Sequence, residues 1–162
     1  MSSLAFSLLF ISFLAAKVIV RFWLESRHIR FVLAHRNAVP SEFAEKIPLH
    51  AHQKAADYTV TKAKFGLLMS LVNVAVLMGF TLLGGLQALS TALQPLAGNG
   101  MLYQLALLAA FSIISGLIDL PFAYYKQFVM EAKFGFNKMT PGLFFSDQIK
   151  SALIGAATII RT

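Results

Sequence analysis

"FGLLMSLVNVAVLMGFTLLGGL", residues 65–86, carries no formal charge along its whole length. As a helix rising 1.5 Å per residue it would cover about 33 Å, enough to cross a hydrocarbon core of about 30 Å. The uncharged character continues well past this run, because between Lys64 and Lys126 the one formal charge is Asp119. That interval has room for two spans of about 20 residues each. The chain of 162 residues is 57% hydrophobic and 13% charged, outside the balance of an ordinary soluble domain. Composition therefore points to a membrane protein.

Working outward, Leu4 to Val20 is apolar except for Ser7, Ser12 and Lys17, and forms a first span. Its basic cluster follows the apolar run rather than preceding it, which favours a retained anchor over a cleaved signal peptide. Residues 21–64 are polar and broken by Pro40 and Pro48, predicting short helices at "SRHIRFVLAHR", "SEFAEKI" and "HAHQKAADYTVTKAK". Ser41 is expected to cap the second of these, and the third runs into the second span, which leaves the membrane near Leu86. "QALSTALQPLAGNG" reads as a short turn with one interfacial helical turn. A third span covers about 101–122, with Pro121 kinking it without ending it. Thr140 as cap and Pro141 in the first position start another helix, but residues 151–160 give only about 15 Å of uncharged length. The expected fold is all-α: a multi-pass transmembrane helical bundle with three complete spans, the start of a fourth at 151–160, and cytoplasmic helical connections.

The net charge of +7 is placed by topology. Nine basic residues lie in 17–64 (Lys17, Arg21, Arg27, Arg30, Arg36, Lys46, Lys54, Lys62, Lys64), none in 87–100, and four in 126–150 (Lys126, Lys133, Lys138, Lys150). The positive-inside bias puts loops 21–64 and 126–150 in the cytoplasm and the N-terminus outside, in the bacterial inner membrane or an equivalent membrane. Basic residues that flank apolar runs instead of forming their own domain argue against nucleic acid as a partner. The absence of cysteine excludes disulfide and thiolate chemistry.

Chemistry-bearing patterns are sparse. All four histidines fall between 28 and 52, and His50 and His52 are two apart, which on a helix turns the rings to nearly opposite sides. A helical zinc pair uses the i, i+4 spacing of H-E-x-x-H, and no such motif occurs. Nothing resembles G-x-S-x-G, and Gly84-Gly85 lies within an apolar run, where it reads as a helix-packing feature. Asp119 is the one acid inside an apolar segment, either lining an internal cavity or sitting at the interface within reach of Lys126. Trp23, Tyr124 and Tyr125 read as headgroup-level aromatics. In "FVMEAKFGFNKMT", residues 128–140, Gly135 is expected in a left-handed conformation, with Asn137 satisfying backbone groups before the restart at Thr140. Glu131 is expected to brace this reversal, accepting from N–H groups near Thr140 or pairing with Lys150.

The stretch "LPFAYYKQFVMEAKFGFNKMTPGLFFSDQIK" closely resembles the pattern L-P-[FW]-x-x-Y-x-x-F-x-[IVM]-E-x-x-x-G-F-N-x-x-T-x-x-x-[FL]-x-x-D-x-[IL]-K of the CAAX prenyl protease 1 family. The matching positions are Leu120, Pro121, Phe122, Tyr125, Phe128, Glu131, Gly135, Phe136, Asn137, Thr140, Asp147 and Lys150. "SRHIRFVLAHRNAVP" and "HQKAADYTVTKAKF" resemble the family's first cytoplasmic region, so the likeness covers nearly the whole chain. Phe134 stands where some members have His.

The resemblance implies an integral-membrane zinc metallopeptidase. Its helices enclose a water-filled chamber, and its zinc is held by H-E-x-x-H and a downstream Glu on later helices. No residue of this chain takes a catalytic or metal-ligating role. Zinc belongs to the full-length family, and no cofactor is expected here. The implied partners are the lipid bilayer, the remainder of the protease with its zinc domain, and a prenylated or membrane-associated peptide substrate. On this reading residues 1–162 form the N-terminal transmembrane region, inactive alone. The rival is a small non-enzymatic integral-membrane protein or subunit that keeps the helical scaffold without chemistry.

Overall fold

Long runs uninterrupted by proline decide the first two elements. The computed structural model describes residues 2–98 and 100–161. Within them α1 spans Ser3–Ala34, α2 Leu49–Thr81, α3 Gly85–Ala97, α4 Met101–Tyr125 and α5 Pro141–Arg161. A single 3₁₀ turn occupies Ser41–Phe43, and a π-helical turn, Lys126–Glu131, extends α4. Among the described residues three helical stretches are long and apolar enough to cross a membrane: Leu4–Ala34, Leu49–Thr81 and Met101–Glu131. The helices group into two compact units, Met1–Met78 and Gly79–Thr162.

In the first unit α1 and α2 form a helical hairpin. With 32 and 33 residues they are each about 48 to 50 Å long, well beyond a hydrocarbon core, so both carry a polar extension past their apolar halves. "SRHIRFVLAHR" was expected as a separate helix, but most of it continues α1 because no breaker lies between Val20 and Ala34. The Ser2 side chain caps α1 by accepting from the Ala5 N–H at 3.3 Å. Arg21 Nη2 donates to the Gly66 carbonyl at 3.4 Å, joining the two helices near where their apolar halves begin. Leu14, Ala56 and Val60 are the buried apolar side chains of this unit.

"SEFAEKI" does not form the capped helix expected of it. Pro40 and Pro48 are eight residues apart, too close for an α-helix to repay its nucleation, and only the Ser41–Phe43 turn appears. Pro40 stands at the cap position, where no side-chain hydrogen bond forms, so Ser41 is not the cap.

In the second unit the chain reverses at Gly84, which has φ 80°. A Cβ on Gly85 would lie 2.8 Å from the Gly79 carbonyl oxygen, so the reversal brings backbone against backbone. The second span accordingly ends at Thr81, short of the expected Leu86. Gly84-Gly85 serves a tight turn and not the packing of a continuous helix. The segment read as a short turn with one interfacial helical turn is instead the 13-residue helix α3, whose leucines fall on one side at helical spacing. It packs on α4, where Ser90 Oγ and the Tyr103 hydroxyl hydrogen-bond. Phe80 meets Phe111 edge-on with centroids 4.9 Å apart, tying the end of α2 to α4. α4 runs through Pro121 without ending.

Candidate functional site

The reversal between α4 and α5 is built from a run of local hydrogen bonds. After the π turn the helix closes with Gly135 at φ 75°. The Phe136 N–H donates to the Glu131 carbonyl at 2.9 Å and the Gly135 N–H to the Ala132 carbonyl at 3.0 Å. These are the two bonds of a Schellman motif, with Gly135 in the position where a side chain would be strained. The Asn137 N–H also reaches the Glu131 carbonyl, at 3.3 Å. Glu131 thus supports the turn through its main chain.

Asn137 organises the next step. Its Oδ1 accepts from the Met139 N–H and from Gln127 Nε2, each at 2.8 Å. One oxygen therefore links the π turn to the strand of backbone entering α5. Thr140 Oγ1 then accepts from the Leu143 N–H at 3.4 Å, and Pro141 occupies the first helical position. Beneath these polar bonds lies an apolar floor. Met130 is 2% exposed, Phe134 6% and Phe144 7%, the most enclosed side chains of the region. Phe128 packs edge-on to Phe144 at 5.6 Å and tilted to Tyr124 at 4.6 Å. Tyr124 also meets Phe144, at 5.9 Å, so it belongs to this packing and is more than a headgroup-level aromatic.

Of the motif positions, Phe128, Glu131, Gly135, Asn137 and Thr140 come together in this reversal. Tyr125 and Phe136 are half exposed. Asp147 and Lys150 form an exposed pair on α5 at 3.9 Å. Leu120, Pro121 and Phe122 lie on the preceding turn of α4, and Asp119 beside them is exposed, without an ion pair to Lys126.

A second polar constellation sits at the head of the α1–α2 hairpin. Arg36 clasps Asp57 through Nε–Oδ1 at 2.7 Å and Nη2–Oδ2 at 2.8 Å. The hydrogen bond to Asp57 raises the Arg36 pKa, against a smaller opposing effect of desolvation, and the carboxylate charge adds to the rise. Gln53 Nε2 donates to Asn37 Oδ1 at 3.1 Å, and His52 Nε2 donates to the His35 carbonyl at 3.0 Å. His35 Nδ1 bonds the Phe31 carbonyl at 2.8 Å. The histidines therefore cap the C-terminal carbonyls of α1. Trp23 stacks under Arg27, whose Cζ is 5.0 Å from the ring centroid.

Residues 28–161 match the family described as CAAX prenyl protease N-terminal, five membrane helices. The chain belongs to that family. It is 36% identical over 156 residues to the CAAX prenyl protease 1 homolog of Caenorhabditis elegans, covering 93% of this chain and 34% of that protein. With the CAAX prenyl protease 1 of Saccharomyces cerevisiae it shares 32% over 129 residues, covering 74% and 28%. The crystal structure of S. mikatae Ste24p superposes with a TM-score of 0.83 at 28% identity, over 91% of this chain and 35% of that one. The chain spans about a third of the length of the CAAX prenyl proteases it matches. It is an integral multi-pass membrane protein, all-helical, as its resemblance implied.

Sequence reasoning missed three features. The π turn left no compositional mark. Gln127 gave no sign of being Asn137's partner. Arg36 and Asp57 lie in the two separate stretches that carried the resemblance to the first cytoplasmic region, and that pairing of stretches was the available signal.

Proposed function

We propose that this chain is the N-terminal transmembrane scaffold of a membrane zinc endopeptidase that acts on prenylated or membrane-associated C-terminal peptides. Family membership across residues 28–161 carries this reading. Among the described residues no group of three or more His, Cys, Asp or Glu side chains could hold a metal ion. The zinc implied by the resemblance does not fit this region, and no catalytic step is assigned to its side chains. Their work is positional: the Arg36–Asp57 clasp fixes one helical hairpin, and the Asn137 brace fixes the α4–α5 reversal.

The distribution of basic residues supports placing both braces on the cytoplasmic side and α3 on the opposite side. A water-facing position for Asp119, the one formal charge on α4, is part of this reading.

The test uses the full-length protein, a farnesylated CAAX peptide and metal analysis. Cleavage that chelation abolishes is the expected result, with Asn137→Ala lowering melting temperature and turnover together. No cleavage at full zinc occupancy removes the protease reading. Lost turnover with wild-type melting and zinc content moves the reversal into the substrate site.

A further inference from the structure

α3 is held in one orientation and leaves one flank uncovered. The reversal at Gly84-Gly85 and the Ser90–Tyr103 bond fix the helix against α4. Gly85, Leu89, Ser90, Leu93 and Ala97 are then half-buried, and Gln87, Thr91 and Gln94 form an exposed polar arc. Between the two lies an exposed strip of Ala88, Ala92, Pro95 and Leu96.

The turns at each end are equally apolar. Leu83 is 81% exposed before α3, and Leu96 is 83% and Met101 70% exposed after it. In water these side chains would leave a contiguous apolar patch at the end of two spans. With 13 residues, α3 is about 20 Å long and cannot itself cross a membrane. The nearest formal charge on α4, Asp119, is about 27 Å of helix beyond Met101.

We propose that α3 lies in the membrane interface, with the Ala88–Ala92–Pro95–Leu96 flank against phospholipid acyl chains and the Gln87–Thr91–Gln94 arc at the headgroups. The occupant is lipid because the flank is continuous, through Leu83 and Met101, with spans that already lie in the bilayer. A helix with a polar and an apolar side settles at roughly 5 to 10 Å into the headgroup–acyl boundary. No lysine or arginine lies on α3, so anionic headgroups are not what it recognises.

The experiment uses the full-length protein in a cysteine-free background, reconstituted in phosphatidylcholine nanodiscs. Single spin labels are placed at Ala88, Ala92 and Leu96, and at Gln87, Thr91 and Gln94. Flank labels should be relaxed by lipid-soluble oxygen in preference to an aqueous nickel chelate, and arc labels should show the reverse. Adding anionic lipid should leave both sets unchanged. Flank labels reached mainly by the nickel chelate would put α3 in water. Flank labels reached by neither reagent would mean that protein covers them. A depth that follows anionic lipid content would make the attachment electrostatic. Each of these three results overturns the proposal. As a label-free check, Leu96→Trp fluorescence should be quenched by brominated acyl chains, and an unquenched signal counts against the interface position.

Discussion

Gln127 and Met139, twelve residues apart, converge on a single atom, Asn137 Oδ1, each at 2.8 Å. Both lone pairs of that oxygen are used, so the link between the π turn and α5 has no spare acceptor. The geometry makes Asn137 an acceptor of two donors from two elements, and that role can be separated from its amide donor function.

Asn137→Ala removes the acceptor and should destabilise the full-length protein by about 1 to 3 kcal/mol. Asn137→Asp keeps an oxygen in place for both donors and should fall closer to wild type. Thermal melting in detergent checks the order. Equal losses in the two variants would show that the acceptor geometry is not what matters.

Gly135 and Gly85 should fail for different reasons. Gly135→Ala forces a Cβ into a left-handed conformation, costing about 1 to 2 kcal/mol. Gly85→Ala brings a Cβ to 2.8 Å from the Gly79 carbonyl, and the backbone must shift to accept it, for about 1 to 3 kcal/mol. Gly135→Asn should recover part of its loss, because Asn tolerates the left-handed region, whereas Gly85→Asn should be worse than Gly85→Ala. Melting of the four variants decides.

The Arg36–Asp57 clasp depends on the guanidinium fork and not on charge alone. Arg36→Lys keeps the charge but loses the parallel pair of bonds, so its melting temperature should lie between wild type and Asp57→Asn. The arginine pKa is raised in the folded state, so its contribution is full below the unfolded value and is lost only as pH rises through the folded one. The difference between wild type and Arg36→Lys should therefore hold throughout the neutral range. A lysine variant equal to wild type would reduce the clasp to an ordinary surface ion pair.

Topology makes a prediction that no stability measurement touches. Single cysteines at positions 41 and 138 should resist an impermeant thiol reagent applied to intact cells, and one at 98 should react. Because the chain has no native cysteine, labelling reports the engineered site within this region. Reaction at 41 or 138 from outside would invert the assignment drawn from the basic residues.

The sequence showed span number, the left-handed Gly135 and the Thr140-Pro141 restart because each rests on a local rule: apolar length, a missing Cβ, a cap beside a fixed φ. It misjudged Leu86 and α3 because the uncharged run from Phe65 to Leu86 hides a break that depends on Gly79 and Gly85 meeting in space. It overrated Ser41, whose capping preference could not act between two prolines. The Asn137 brace was half legible: its backbone bond follows from turn chemistry, but its Gln127 bond depends on a π turn. Sequence patterns describe i, i+3 and i+4 neighbours, and one i+5 turn moves every later side chain out of that register.

The uncharged stretch around α3 also bears on how the protein enters its membrane. Each lysine, arginine or aspartate at the centre of an inserting helix opposes insertion by about 2.5 to 3.5 kcal/mol. Between Lys64 and Asp119 nothing of that kind has to cross. The second span, the short helix and the third span can therefore partition from the insertion machinery as one hairpin, with a tip that carries no ion through the hydrocarbon. A single lysine placed on α3 would add an ion to that tip, and its effect would appear at insertion, before folding.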